Sequence, residues 1–113
     1  MAVISYTRTD DQADKKHRYT WASVTESDTC LALDIQELPQ DISVEFDGTW
    51  GGASGTIVGT NNTATIPMTA MDGSTAAWTA DALFSMLQRP GSITPTFAGG
   101  SSQSMTVTII LWY

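Results

Sequence analysis

Apolar and polar residues alternate one by one along two stretches of the chain. In "DISVEFD" (41–47), Ile42, Val44 and Phe46 fall on one side and acidic or hydroxyl residues on the other. The last ten residues, "SMTVTIILWY" (104–113), begin the same way. Because successive side chains of a strand point to opposite faces, this period of two predicts half-buried strands. The outward row of the second stretch turns apolar at Ile110 and Trp112, so we expect the rest of the fold or a partner to cover that end. The inward rows are predicted to be Ile42, Val44, Phe46, Met105, Val107, Ile109 and Leu111.

Further short segments rich in Thr, Val, Ile and aromatic residues are separated by turn sequences such as "LPQD", "GTWGG" and "RPGS". Such spacing predicts an all-β, antiparallel β-sandwich or jelly-roll-like single domain over 1–113, with at most one short helix. An alternative interpretation of residues 1–17 is an extended N-terminal arm or loop. Pro67 and Pro95 lack an N–H group, so we expect them at edges or bulges. The further predicted strands are 3–9, 18–25, 30–35, 55–60, 63–68 and 92–98.

The segment "TADALFSMLQ" (79–88) has two interpretations. Leu83, Met86 and Leu87 recur at helical spacing behind a possible cap at Thr79, which is typical of a short helix. A strand that packs Leu83 and Leu87 on one side is the other interpretation, and the pattern slightly favours it.

Charge is distributed unevenly along the chain. Residues 1–47 carry fourteen of the seventeen charged side chains, and residues 48–113 carry only Asp72, Asp81 and Arg89. This distribution predicts one domain with a wet face and a dry face. The net charge of -7 argues against nucleic acid and against an anionic membrane as partners, since both repel acidic proteins.

No residue pattern indicates catalysis or a cofactor. His17 is the single histidine and Cys30 the single cysteine, too few for a zinc site and without a recognisable triad. The glycines of "GTWGGASG" do not follow the phosphate-binding pattern, and we expect them to supply the positive backbone angles of a hairpin. The sequence therefore predicts a protein that is not an enzyme and uses no metal. The N-terminus has no secretory pattern, so we expect synthesis in a cytoplasm.

The aromatic residues divide into core and interface candidates. Trp21 lies in a strand pattern beside Tyr19 and is predicted to be buried. Large apolar side chains outside the core mark binding surfaces, for protein or for sugar. The candidate protein-interface residues are Trp50, Trp78, Ile110, Trp112 and Tyr113.

Residues 41–112 also resemble a known family. "ISVEFDGTWGGASGTIVGTNNTATIPMT" followed by "FSMLQRPGSITPTFAGGSSQSMTVTIIL" is similar to the layout of small tailed-phage virion proteins, the head decoration (cement) proteins and their relatives. The shared features are the "GTWGGA" turn after a strand, a later "RP" strand entry, a "GG" turn and a final "TVT" strand. The turn "GTNNTAT" departs from the family's acidic turn and lacks the tryptophan that often follows it. The later strand reads "RPGSITPTF", with Pro95 at the usual place.

The resemblance implies a β-sandwich or jelly-roll unit that clamps subunits of a phage major capsid protein together. We therefore expect the protein on the capsid exterior of a virion, after its synthesis in the host cytoplasm. It carries over no catalytic residue. With the apolar C-terminal end, it leads us to expect a homo-oligomer, dimeric or trimeric. The alternatives are another virion component of the neck, tail or fibre, and a carbohydrate-binding or adhesive β-sandwich.

Overall fold

The alternating segments form strands in the computed structural model, which describes residues 2–11, 15–73 and 78–113. Within these residues all regular structure is β, so the predicted all-β fold is confirmed. The strands are β1 (Val3–Ile4), β2 (Thr7–Asp11), β3 (Lys16–Val24), β4 (Thr29–Cys30), β5 (Leu33–Asp34), β6 (Asp41–Thr49), β7 (Ser54–Thr60), β8 (Thr65–Pro67), β9 (Ala82–Ser85), β10 (Ser92–Ala98) and β11 (Ser104–Trp112).

Eight of these strands have the pairing of a jelly roll. In chain order they are β3 and then β5 to β11; the first pairs with the last, the second with the seventh, the third with the sixth and the fourth with the fifth. The resulting sheets have the orders β2-β3-β11-β6-β9 and β5-β10-β7-β8, and every pair within them is antiparallel. This is the double-sheet architecture that the spacing of short strands predicted.

The N-terminal segment is part of the sheets. β2 pairs with β3 along its whole length, and β1 forms a small parallel sheet with β4. The alternative of an extended arm over 1–17 is therefore wrong for the described residues, because their backbone is bonded to neighbouring strands. Met1 and residues 12–14 lie outside the described part of the chain.

The two large sheets enclose one apolar core. Both predicted inward rows are buried, from Ile42 on β6 to Leu111 on β11. Trp21 is fully buried as predicted, and its indole Nε1 donates a hydrogen bond to the carbonyl oxygen of Leu31 at 3.0 Å. In β3 the alternation is interrupted by a bulge, where Ser23 adopts a φ of 57°, so that both Trp21 and Val24 face inward.

Residues 82–85 of the ambiguous segment form the edge strand β9, which pairs with β6. The expected packing of Leu83 and Leu87 was wrong: their side chains are 74% and 50% exposed. Met86 is buried instead. Its N–H donates a hydrogen bond to the carbonyl oxygen of Ile42, and this pairing directs the row that contains Met86, not the row that contains Leu83, toward the core.

The prolines lie where a missing N–H is tolerated. Pro67 is in the edge strand β8. Pro95 lies in β10 beyond Ile93, the last residue that β5 pairs with, so β10 has an open edge there. Both positions fit the predicted edges.

We had expected the "GTWGG" turn to close a hairpin within one sheet, and this expectation was wrong. The turn carries the chain from β6 in the five-stranded sheet to β7 in the four-stranded sheet. The expected positive φ angles are present, at 135° for Gly48, 56° for Gly51 and 82° for Gly52. An ideal Cβ on Gly51 would lie 2.0 Å from the carbonyl oxygen of Ser101, so the glycine also permits close contact with the loop before β11.

Two leucines of the five-stranded sheet test this assignment of faces. Leu111→Ala removes a side chain that is 1% exposed, and we expect it to lower the free energy of unfolding by about 2–5 kcal/mol. Leu83→Ala removes the same atoms at an exposed position, and we expect a loss below about 1 kcal/mol. Urea denaturation measures both values, and similar losses at the two positions would contradict the register of β9.

Candidate functional site

The predicted interface residues occupy two regions of the molecule. Trp50 and Trp78 lie at one end of the sandwich, where both pack against the core residue Phe46. We call the rings that meet there the aromatic cluster; its residues are Phe46, Trp50, Trp78, Phe84 and Phe97. Ile110 and Trp112 lie on the outer face of the five-stranded sheet. Tyr113 follows at the end of β11. The structure therefore does not bring the five residues together in one site.

The rings of the aromatic cluster contact each other closely. The Trp78 ring stacks on Phe84 with 3.9 Å between centroids and 9° between planes. Trp50 forms T-shaped ring contacts with Phe46 and Phe97, and its Nε1 donates a hydrogen bond to Asp81 at 2.8 Å. These contacts hold the inter-sheet turn against the core, so much of the apolar surface of both tryptophans is already used within the chain.

The outer face of the five-stranded sheet carries three parallel rows of side chains. The register pairs Arg18 of β3 with Ile110 of β11, and Ile110 with Ser43 of β6. One pair further along, Glu45 lies beside Thr108. Cationic side chains therefore lie on β3, apolar ones on β11 and acidic ones on β6. We call this surface the striped face; its residues are Lys16, Arg18, Thr20, Thr108, Ile110, Trp112, Asp41, Ser43 and Glu45.

Two concavities open on the striped face. One, of about 280 Å³, is lined by residues that include Arg18, Glu45 and Ile110. A second, of about 650 Å³, lies between Trp112 and the exposed side chains Met71 and Leu83. Apolar side chains thus border an open groove, an arrangement that suits a protein partner.

Trp112 and Tyr113 are anchored by polar contacts. The Trp112 Nε1 donates a hydrogen bond to Ser43 Oγ at 3.0 Å, and Lys16 Nζ lies 5.1 Å from the ring centroid. The Tyr113 hydroxyl donates to the carbonyl oxygen of Glu37 at 3.2 Å, and burial raises the pKa of this hydroxyl. Both rings remain half-buried, so they are fixed in orientation with part of their surface in solvent.

The opposite outer face, on the four-stranded sheet, has no charged residue along β7, β8 and β10; Asp34 at the edge strand β5 is the one charge in its strands. Hydroxyl side chains dominate it. We call this surface the dry face; its outward residues on β7 and β10 are Ser54, Thr56, Val58, Thr60, Ser92, Thr94, Thr96 and Ala98. It corresponds to the dry face expected from the charge distribution. Sequence reasoning had not singled out its threonines, because only the register shows that they share one face.

A cleft of about 540 Å³ lies beside the dry face. Amide and apolar groups line the cleft together with Arg89. Asn61, in the turn between β7 and β8, accepts a hydrogen bond at its Oδ1 from Gly91 N at 2.8 Å, and this bond holds the turn. Gln88 reaches across to both the N–H and the hydroxyl of Thr69. These amides are used in shaping the cleft.

His17 and Cys30 have structural surroundings. Asp10 Oδ1 lies 2.6 Å from His17 Nδ1 and 2.7 Å from Arg8 Nε, so this carboxylate joins β2 to β3. Hydrogen bonds from Arg8 and His17 lower the pKa of Asp10. Burial raises the pKa of the Cys30 thiol to about 12, which keeps it protonated at neutral pH.

The described residues include no group of three or more His, Cys, Asp or Glu side chains placed to hold a metal ion. Within the same residues, no helix has the length and apolar character needed to cross a membrane.

Comparison with known proteins gives a likeness of fold. No protein-family model matches the chain, and no curated protein matches it. Among solved structures, the periplasmic inhibitor of g-type lysozyme from Aeromonas hydrophila has a TM-score of 0.50 at 8% identity, over 97% of this chain and 96% of that one. A protein of the disulfide-linked pili of Bacillus endospore appendages has a TM-score of 0.38 at 21% identity, over 95% and 89%. The first likeness extends over nearly all of both chains and shows a shared β-sandwich fold.

Removing the Trp50 ring tests its role in the aromatic cluster. We expect Trp50→Ala to lower the free energy of unfolding by roughly 2 kcal/mol, because the ring contacts with Phe46 and Phe97 are lost. Trp50→Phe keeps an aromatic ring but removes the hydrogen bond to Asp81, so it should cost less. Thermal denaturation of the three proteins gives the comparison, and unchanged melting of Trp50→Ala would show that the ring does not hold the turn.

Acid should weaken the contact between two loops. Glu26 accepts hydrogen bonds from backbone N–H groups, its own first and then those of Gln103 and Ser102, and these lower its pKa from the ordinary 4.5. The carboxylate therefore contributes stability above pH 4.5, and this contribution is lost as the pH falls through the lowered pKa. We expect Glu26→Gln to lose less stability than the wild type between neutral and acidic pH. Equal losses in urea denaturation across that range would contradict this role.

Proposed function

We propose that this protein is a capsid decoration protein, which binds the outer surface of a phage capsid and stabilises the contacts between major capsid protein subunits. The proposal includes no catalytic step and no cofactor. Two things support it: the resemblance of residues 41–112 to small virion proteins, and the dry face.

The dry face is the observation that carries the proposal. Binding a protein surface removes water from both partners, and a buried charge without a counter-ion is costly. Charged residues are accordingly depleted at the centres of protein interfaces. A two-strand-wide array of hydroxyl and small apolar groups, with charge only at Asp34 on its edge, can be desolvated at low cost.

The charged remainder of the surface supports the same role. A decoration protein is made in many copies before it binds, and a net charge of -7 keeps a protein at such concentrations soluble. Each contact with the capsid can be weak, since many linked contacts add up to strong attachment.

A charge placed on the dry face tests the proposal. Purified protein is mixed with capsids of the cognate phage and sedimented, and the wild type should co-sediment. We expect Thr96→Arg to weaken binding by about tenfold or more, because Thr96 lies on the dry face and the added charge would be buried. The matched control is Thr7→Arg, which adds the same charge at an exposed position of β2, in the opposite sheet.

Two outcomes would contradict the proposal. If the wild type does not co-sediment at concentrations well above about 1 µM, the capsid role is wrong, and a tail, fibre or sugar-binding role replaces it. If both threonine variants bind equally well, the dry face is not the contact.

A further inference from the structure

The striped face can pair with itself. In the five-stranded sheet β11 is the middle strand, with β3 on one side and β6 on the other. Ile110 has Arg18 of β3 on one side and Ser43 of β6 on the other, and all three side chains point outward. Thr108, the next outward residue of β11, has Glu45 of β6 beside it. A positive row, an apolar row and a negative row thus run side by side along the strands.

Two charges of this surface, those of Arg18 and Glu45, are not neutralised by any other described residue. The side chains of Arg18 and Glu45 are exposed, and neither makes an ion pair or a hydrogen bond with another described residue. Beside them, Leu83 is 74% and Met71 56% exposed around the groove that Ile110 and Trp112 line. Unpaired charges that flank an apolar row are an arrangement that a complementary surface would satisfy.

We propose that the occupant of the striped face is a second copy of this chain, related by a two-fold axis that runs along β11. Rotation about that axis turns the two faces toward each other and exchanges left and right. The positive row on β3 of one copy then lies against the negative row on β6 of the other, twice over, and the apolar rows meet in the middle. Isologous contacts of this kind are the commonest in soluble oligomers.

The charges select this orientation. A two-fold axis across the strands would place β3 on β3, with Arg18 opposite Arg18. With the axis along β11, Arg18 faces Ser43 of the second copy, and Glu45 of that copy lies one residue pair away, roughly 7 Å along the strand. A long arginine side chain spans that offset, and aligned sheets pack about 10 Å apart.

The size of the face is sufficient for a dimer. Five strands spaced about 4.8 Å apart, with central strands of nine residues at about 3.3 Å each, give roughly 600 Å² per copy after allowance for the shorter edge strands. Stable interfaces bury about 800 Å² per partner, and weaker ones less, so we expect a dissociation constant in the micromolar range.

This inference does not depend on the capsid role, because it uses the opposite sheet. A dimer joined through the striped faces would leave the dry face of each copy on the outside. Failure of capsid binding and failure of dimerisation are therefore separate results.

Sedimentation-equilibrium measurements of the full chain, over a range up to about 100 µM, test the proposal by charge reversal. The wild type should dimerise. Arg18→Glu alone sets acidic residues against Glu45, and Glu45→Arg alone sets cations against Arg18, so each should weaken the dimer by about tenfold or more. The double variant Arg18→Glu/Glu45→Arg restores opposite charges and should return the dissociation constant to within about threefold of wild type.

The matched control is Arg89→Glu, which changes the net charge by the same amount at an exposed position beside the four-stranded sheet and should leave dimerisation unchanged. A monomeric wild type at the highest concentration would overturn the proposal and leave the face to another partner. So would single reversals without effect, or a double reversal that stays monomeric while its circular dichroism shows a folded protein.

A cross-linking measurement checks the position of the axis. In a Cys30→Ser background, Thr108→Cys places a thiol on β11 in the middle of the striped face. A short bis-maleimide should link two copies through this thiol, because the axis brings the two positions together. Thr96→Cys, on the dry face, should not be linked. Linkage at Thr96 instead would assign the dimer to the other sheet and overturn the proposal.

Discussion

The structure depends on the position of β11 as the middle strand of the five-stranded sheet. Its backbone is bonded to β3 on one side and to β6 on the other, so its register fixes both neighbours. Its inward side chains, Met105 to Leu111, are fully buried in the core. Because the side-chain period is two, a shift of one residue would bring Ile110 and Trp112 inward and turn the whole core row out to solvent. The core and the striped face are therefore specified by the same strand.

The sequence predicted this part of the fold well, because strict alternation over β6 and β11 leaves one consistent inward row. It predicted β9 less well. In residues 79–88 the apolar residues fit two periods, and burial of Met86 in place of Leu83 is decided by pairing with β6, which is distant in sequence. The "GTWGG" glycines indicated positive φ angles correctly. Whether the turn closes a hairpin or crosses between sheets depends on which strand follows in space, and local sequence does not contain that information.

The candidate interface residues, too, could be predicted from the sequence only in part. Large apolar residues at Trp50, Trp78, Ile110 and Trp112 were recognisable as candidates, yet sequence alone could not show that the first two pack on Phe46 and Phe84. Nor could it show that β3 and β6 flank β11, since the rows of charge arise only from pairing across the sheet. The jelly roll thus presents two outer surfaces of different chemistry. We propose that the striped face binds a second copy and that the dry face binds a larger assembly.

Hydroxyl-radical footprinting of the free protein at low and high concentration tests this division most directly. Our account predicts that oxidation of Trp112, Met71 and Leu83 falls as the concentration rises through the dimer dissociation constant. Pro67, which is exposed on β8 and pairs with Val58 of the dry face, should be oxidised to the same extent throughout. Protection of Pro67 with unchanged oxidation of Trp112 would contradict the account, because the copies would then associate through the outer face of the four-stranded sheet.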